Sequence, residues 1–363
     1  MTKESLLYEL IFFVTSHCNS RCRHCFNWQN LNQKEDLSLE LINDLSKKLP
    51  RIKNLLLSGG EPFLRNDLAE LIDIFVRNNK IETISIPTNG LLTNKIVDVL
   101  EKILQIPGTK AVNINFSLDG LLEVHDKIRG VKNNYVTTVE TINRVIDLKN
   151  KYSHLNILVN SVIGGENQAE LLKLADSLML FHPRVDAHYF EIIRPTGPGD
   201  LGKLNFSYDF YKELIKRQYE KFKKCLDSGN LLKSLSRKFL FLGRMNLIYG
   251  IQYRNYFSKK NWPFACSAGK NIVVLNDRGL LSVCESRNTL FNLADYKDFA
   301  DLSSSKTYQD ELNDLLVNSC FCTHSCFIDA SIQYHLMPKK ISALFLGVIS
   351  FIRYEIISRH SDI

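Results

Sequence analysis

The chain has 363 residues, of which 45% are hydrophobic and 23% charged, with nine cysteines and a formal net charge of +7. This composition excludes a disordered chain, a collagen and a small disulfide scaffold, and the length suits two domains of ordinary size. The charge is uneven, because residues 201–260 carry 14 Lys and Arg against 4 Asp and Glu, a local +10.

From Leu7 to about Arg194, short β-branched or apolar runs alternate with longer amphipathic ones. Strands are predicted at Tyr8–Val14, Lys53–Leu57, Thr83–Pro87, Ala111–Phe116, Asn156–Ser161 and Ala187–Ile193. Helices are predicted between them at Ser38–Leu49, Leu68–Asn78, Asn94–Leu104, Tyr135–Lys149 and Gln168–Leu180. Ser38, with Glu40 following, and Asp67 read as helix starts. This alternation predicts an α/β fold of parallel βαβ units, and six repeats fit an incomplete (β/α)6 TIM-like barrel better than a full set of eight. Right-handed crossovers then gather the C-terminal strand ends on one face.

Pro195–Asp200 is a turn-rich break, after which the basic segment reads as two or three helices. From Trp262 the pattern changes to short strands and cysteine-bearing loops, with Asn271–Leu275 and Leu280–Val283 forming a predicted hairpin. The tail from Ile332 is apolar with helical character. The expected division is a barrel over 7–200, a basic helical linker over 201–260, a small cysteine-rich domain over 261–330 and the tail over 331–363. Glu9 interrupts the apolar N-terminal stretch, no cleavage site follows it, and Ile341–Ile352 is too short to span a bilayer. The expected location is the cytoplasm.

Eight cysteines fall into two groups: Cys18, Cys22 and Cys25, then Cys266, Cys284, Cys320, Cys322 and Cys326. Without an export signal, such groups bind metal more often than they form disulfides. The first three follow the first strand, and three thiolates can hold three irons of a cubane cluster while leaving the fourth without a protein ligand. A zinc site is the competing reading. Ser58–Pro62, SerGlyGlyGluPro, follows the second strand; its glycines allow close approach to the backbone, and Glu61 can meet an ammonium group. Thr88–Gly90 ends the third strand and Ser117–Gly120 the fourth, with Arg129 soon after. Each is an ordinary turn by itself, but together at consecutive strand ends they mark one site.

Here the chain resembles the radical S-adenosylmethionine (radical SAM) enzymes, over about residues 7–200. The resemblance rests on Cys18-x3-Cys22-x2-Cys25, on Gly59-Gly60-Glu61, and on SerLeuAspGly with His125–Arg129. It implies a [4Fe–4S] cluster whose open iron chelates S-adenosylmethionine. Gly59, Gly60 and Glu61 would meet the methionine ammonium, and Ser117 and Arg129 the ribose and carboxylate. His24 would lie along the adenine, bordered also by Val162–Gly165. Reductive cleavage to a 5′-deoxyadenosyl radical, hydrogen abstraction from a substrate, and an electron donor such as flavodoxin or ferredoxin are further implications.

Cys266 and Cys284 bracket the predicted hairpin in a spacing similar to the SPASM or Twitch extension of these enzymes, which implies an auxiliary [4Fe–4S] cluster. Five cysteines suit the single cluster of the shorter Twitch type. Cys266, Cys284, Cys322 and Cys326 are the favoured ligands, with Cys320 the alternative or a spare, and a zinc ribbon is the competing reading. His324 reads as a surface loop residue ahead of a ligand, and Cys225 as a plain helix residue.

The basic segment interleaves its charges with Tyr208, Phe210, Tyr211, Tyr219, Phe222, Tyr253 and Tyr256. Amphipathic helices with the aromatic side inward are favoured over a docking surface for an anionic partner. Nucleic acid is the least favoured partner, since no RNA-binding motif is present. The tail, Lys339–Arg353 above all, is expected to pack on the barrel in preference to a membrane interface. The function expected is radical modification of a peptide, with oxidation of a small alcohol or sugar as the alternative. A non-catalytic iron–sulfur carrier or zinc-binding module stands further off. Only 17 residues precede Cys18, so no peptide-recognition domain is expected ahead of the barrel, and either a separate peptide-recognition protein supplies it or the substrate is small. The terminal HisSerAspIle lacks the paired glycines of the related enzyme that rearranges GTP.

Overall fold

The computed structural model describes residues 6–33, 35–182, 184–193, 206–226, 244–245, 247–257, 262–317 and 322–336. Six strands lie side by side in chain order and all parallel: β1 (Leu6–Thr15), β2 (Arg51–Gly59), β3 (Thr83–Thr88), β4 (Ala111–Ser117), β5 (Leu155–Ile163) and β6 (Ala187–Ile192). The connections carry α1 (Leu39–Lys48), α2 (Leu68–Asn79), α3 (Thr93–Leu104), α4 (Leu122–Arg129), α5 (Asn134–Lys151) and α6 (Gln168–Phe181). The result is a mixed α/β fold consistent with a partial barrel.

Every predicted strand and helix of this region is present, with ends within two residues of those expected. The helices form because their apolar residues recur on one face. In α2, for example, Leu68, Leu71, Ile72 and Phe75 are buried against the sheet, whose own Leu10, Ile11 and Phe12 are sealed from solvent. Ser38 caps α1 by accepting the Leu41 amide at 3.3 Å. Asp67 does not cap α2, because its carboxylate is taken by Arg65 at 2.6 Å. The additional helix, α4, covers the segment that sequence motifs alone left without secondary structure.

Beyond β6, α7 (Tyr208–Leu226) packs against α6 and β6. Cys225 lies within α7, as expected of a helix residue. A further helix, α8, covers residues 247–257. Aromatic side chains of this region turn inward: Tyr211 and Tyr219 are buried, and Phe206 stacks on Tyr256 with 4.6 Å between ring centres. Among its described charges, Arg217 pairs with Asp176 and Glu213, and Lys212 with Asp209. The Pro195–Asp200 break, most of the remaining basic segment, Cys320 and the tail beyond residue 336 lie outside the described residues.

The predicted hairpin is present as β7 (Ile272–Leu275) and β8 (Leu280–Ser282), followed by β9 (Phe291–Asn292). The sequence does not announce how it attaches. β7 pairs parallel with β1, from Glu9 opposite Ile272 to Phe12 opposite Leu275, so one nine-stranded sheet runs β6-β5-β4-β3-β2-β1-β7-β8-β9. Three helices complete the C-terminal part, α9 (Phe299–Ser304), α10 (Lys306–Val317) and α11 (Ser325–Leu336). Among the described residues no helix is long and apolar enough to cross a membrane.

Candidate active site

The strand ends and their loops open into one cavity of about 580 Å³. Cys18, Cys22 and Cys25 border it, together with Gly59, Gly60, Glu61, Ser117, Arg129 and His24, so the predicted cofactor residues share a single chamber.

The cysteine loop is held by polar side chains that sequence reasoning assigned no role. Asn32 takes the Cys18 amide at 2.9 Å and donates back to the Cys18 carbonyl at 3.2 Å. The Asn89 side chain donates to Asn19 Oδ1 at 2.7 Å and to Ser20 Oγ at 3.0 Å. The Arg21 and Arg23 amides donate to carbonyls at the end of α4, those of Arg129 and Ile128. No disulfide joins the three thiols, and burial pushes Cys18 up to about 12.

The two glycines are required by the protein's own backbone. A Cβ on Gly60 would stand 1.9 Å from the His17 carbonyl oxygen, and Gly59 adopts φ +117 against Thr15. The Gly60 and Glu61 amides donate to the carbonyls of Thr15 and His17, which zips the two loops together. Glu61 is itself engaged: it accepts from Thr88 Oγ1 at 2.9 Å, the Asn89 amide at 2.7 Å and the Phe63 amide at 3.2 Å. Burial nevertheless raises its carboxyl to about 7.

Asp119, in SerLeuAspGly, organises the opposite wall. Its carboxylate lies 2.7 Å from Arg129 Nε, 3.7 Å from His24 Nε2, and accepts the Val162 amide at 2.8 Å. Burial opposes its ionisation, but Arg129, His24 and His125 outweigh it and hold the carboxyl below its usual range. Arg129 also reaches Cys22 Sγ at 3.6 Å. Burial pushes His24 down to about 4 despite Asp119, so its imidazole is neutral. His125 supports the same loop, its Nδ1 accepting the Asp119 amide at 3.0 Å and its Nε2 lying 2.7 Å from Asn134. Sequence offered one signal for Asp119, its place in a strand-end motif, but its partners are set by the fold.

Of the second cysteine group, Cys284 is buried after β8, Cys266 precedes β7, Cys322 precedes α11, and Cys326 lies in its first turn. Cys326 borders the main cavity. The Cys322 carbonyl is fixed by Asn255 at 2.7 Å and by the Trp262 indole at 3.0 Å. Among the described residues, no three of His, Cys, Asp and Glu stand close enough to ligate a single metal ion. A four-iron cluster takes each thiolate to a different iron, and three thiols bordering one chamber are the donor set for such a cluster with one position left open. His324 is not the surface residue expected: it borders the cavity and faces Glu285 at 3.8 Å, because the start of α11 turns it inward.

The cysteine loop and the strand-end loops that border this chamber lie within residues 12–178, which match the family model of the Radical SAM superfamily. Residues 12–178, a little under half of the chain, therefore carry a radical SAM domain, and such a domain implies a [4Fe–4S] cluster and an S-adenosylmethionine site. Among curated proteins it is similar to GTP 3′,8-cyclase of Alkaliphilus oremlandii, 29% identical over 221 residues. That match covers 57% of this chain and 65% of the relative, just under two thirds of its length. The fold is similar to Streptococcus suis SuiB bound to the precursor peptide SuiA, at TM-score 0.55 and 16% identity, covering 90% of this chain and 73% of that one. It is also similar to anSMEcpe with bound AdoMet and Cp18Cys peptide, at TM-score 0.54 and 16% identity, covering 98% and 99%.

Proposed function

We propose that this chain is a peptide-modifying radical SAM enzyme with one auxiliary [4Fe–4S] cluster, built on a partial (β/α)6 barrel with a Twitch-like C-terminal extension. The observation that carries the reading is the shared chamber, which has Cys18, Cys22 and Cys25 on one side and Cys326 on another. A substrate there can meet a radical source and an electron-accepting cluster without leaving. The SuiB and anSMEcpe structures, whose folds this chain shares, were solved with peptides bound.

Cys18, Cys22 and Cys25 would hold the first cluster, and Cys266, Cys284, Cys322 and Cys326 the second, with Cys320 as the alternative. When bound, the first cluster and S-adenosylmethionine supply one-electron cleavage of the C5′–S bond, delivering a 5′-deoxyadenosyl radical to the substrate. The chain's own residues orient the reactants. Arg129, fixed by Asp119, offers a guanidinium to a carboxylate beside Cys22, and Ser117 offers a hydroxyl at the end of β4. Gly59, Gly60 and Glu61 form a rigid strip between the two loops, on which an ammonium group can rest. Neutral His24 presents a ring suited to an adenine. Phe26, Leu31, Ile193, Met245 and Ile248 line the same chamber and exclude water from it.

Oxidation of a small polar molecule is the second reading, favoured by Ser85, Asn113, Asn115 and Asn160 on the inner wall. A flavodoxin or ferredoxin and a separate peptide-recognition protein are the proposed partners, in the cytoplasm. The test is iron and sulfide content after anaerobic reconstitution, followed by 5′-deoxyadenosine release from S-adenosylmethionine with dithionite. About eight irons per chain are expected for two clusters, with release abolished in Cys18→Ala. Zinc in place of iron and no release would refute the reading.

A further inference from the structure

We infer that the floor of this cavity receives a cationic group of the substrate, an ammonium or guanidinium, through the carboxylate of Glu9 beside the Arg244–Asp329 pair. The inference rests on the radical SAM reading above and names the substrate chemistry of that same chamber.

Barrel interiors are normally filled by branched apolar side chains. Here the inner wall also carries Ser85, Asn113, Asn115 and Asn160, and Asn113 bridges two strands by donating to Ser85 at 3.1 Å and accepting from Asn156 at 2.9 Å. At the floor the polarity becomes charge. Apart from Glu61 and Arg129, already described with the cofactor loops, the described residues bordering the cavity supply four carboxylates, Glu9, Glu191, Glu285 and Asp329, and one guanidinium, Arg244.

That guanidinium is already committed. Arg244 makes two hydrogen bonds to Asp329 and a longer one, 3.4 Å, to the Tyr8 hydroxyl. Glu191 accepts from the Ser325 hydroxyl and from Gln252 at 3.4 Å. His324 faces Glu285 at 3.8 Å. Glu9 is different: its Oε1 is sealed from solvent and receives no hydrogen bond. Its burial favours the protonated acid while the chamber holds no counter-charge, and a cation entering beside it favours the ionised form and pairs with it. Burial raises the Glu9 carboxyl to about 8, with Asp329 adding to the rise and Arg244 opposing it.

Among the described residues, an anionic group beside Glu9 would meet carboxylates and an Arg244 already paired with Asp329, which is disfavoured. A nucleoside triphosphate, the substrate named for the curated relatives, is therefore a poor match to this floor. Two sources of a cation fit it: a lysine or arginine side chain of a peptide, and a free amine.

Isothermal titration of the reconstituted full chain tests this with three probes. They are acetyl-glycyl-lysyl-glycine amide, the same peptide with norleucine for lysine, and cadaverine. The lysyl peptide or cadaverine is expected to bind at least about tenfold tighter than the norleucyl peptide, a difference of about 1.4 kcal/mol. Glu9→Gln is expected to remove most of that preference, and Glu191→Gln, on another strand, to reduce it. The tighter of the two cationic probes identifies the source. Equal binding of all three, or no binding by either cation, overturns the inference. 5′-Deoxyadenosine release measured on the same preparation keeps the two questions apart: its presence leaves the radical SAM reading standing whatever the probes do, and its absence strikes that reading.

Discussion

The Asn89 amide donates to the Glu61 carboxylate at 2.7 Å, and this bond makes the loop after β2 and the loop after β3 one unit. The Asn89 side chain extends that unit to Asn19 and Ser20 in the cysteine loop. Asn89→Ala removes the second half of the connection and leaves the backbone bond. It is expected to cost about 1–2 kcal/mol in urea unfolding and to lower iron retention on dilution. Unchanged iron retention would mean that the loop is held by Asn32 and α4 alone.

Asp119 is the counter-charge of a buried guanidinium. Asp119→Asn leaves Arg129 unpaired in the wall, so destabilisation of about 3–5 kcal/mol is expected. Adding Arg129→Met should recover part of that stability, while S-adenosylmethionine binding stays lost. A double variant as unstable as the single one would show that Asp119 acts mainly through the Val162 amide.

Gly60→Ala tests the backbone contact. The added methyl group meets the His17 carbonyl oxygen, which is main chain and cannot swing aside. The expected result is a folded protein whose reconstituted iron falls by about four per chain, read by iron assay beside circular dichroism. Full iron loading would show that the loops tolerate separation.

Stability should also depend on pH through Glu9. Its folded carboxyl lies near 8, against about 4.5 when unfolded. Between those values the folded chain keeps a proton that the unfolded chain has released. Stability therefore falls as pH rises, by up to about 1.4 kcal/mol per pH unit, and levels off above 8. Glu9→Gln should flatten this slope and leave the protein more stable than wild type at pH 8. Parallel urea-unfolding profiles for the two proteins would remove Glu9 as the titrating group.

The six parallel strands were legible in the sequence because each is a short buried run whose neighbours in the chain are its neighbours in the sheet. The gathering of Cys18, Glu61, Ser117 and Arg129 around one chamber was legible because they sit at or near consecutive strand ends. Helix α4 was not: LeuGluValHisAspLysIleArg is short and mostly polar, and it is held by Asp126, which accepts the amides of Asn133 and Tyr135. The inward turn of His324 and the partners of Asp119 depend on packing between distant segments, which no local pattern encodes. The acidic floor was likewise hidden. The +10 segment left a docking surface for an anionic partner as its less favoured reading; among its described cations Arg244 borders the cavity, where Asp329 from α11 pairs with it.

The pairing of β7 with β1 bears on how far this protein can be cut down. β1 is an interior strand, hydrogen-bonded to β2 on one side and to β7 on the other, and it leads directly into the cysteine loop. A chain ended before residue 262 would leave the Glu9–Phe12 edge bare, with the sealed side chains of Leu10, Ile11 and Phe12 beside a row of unsatisfied amides and carbonyls. Such an edge recruits other chains. The C-terminal hairpin therefore acts as a guard against self-association, and a truncated radical SAM core is expected to aggregate before it can be loaded with iron.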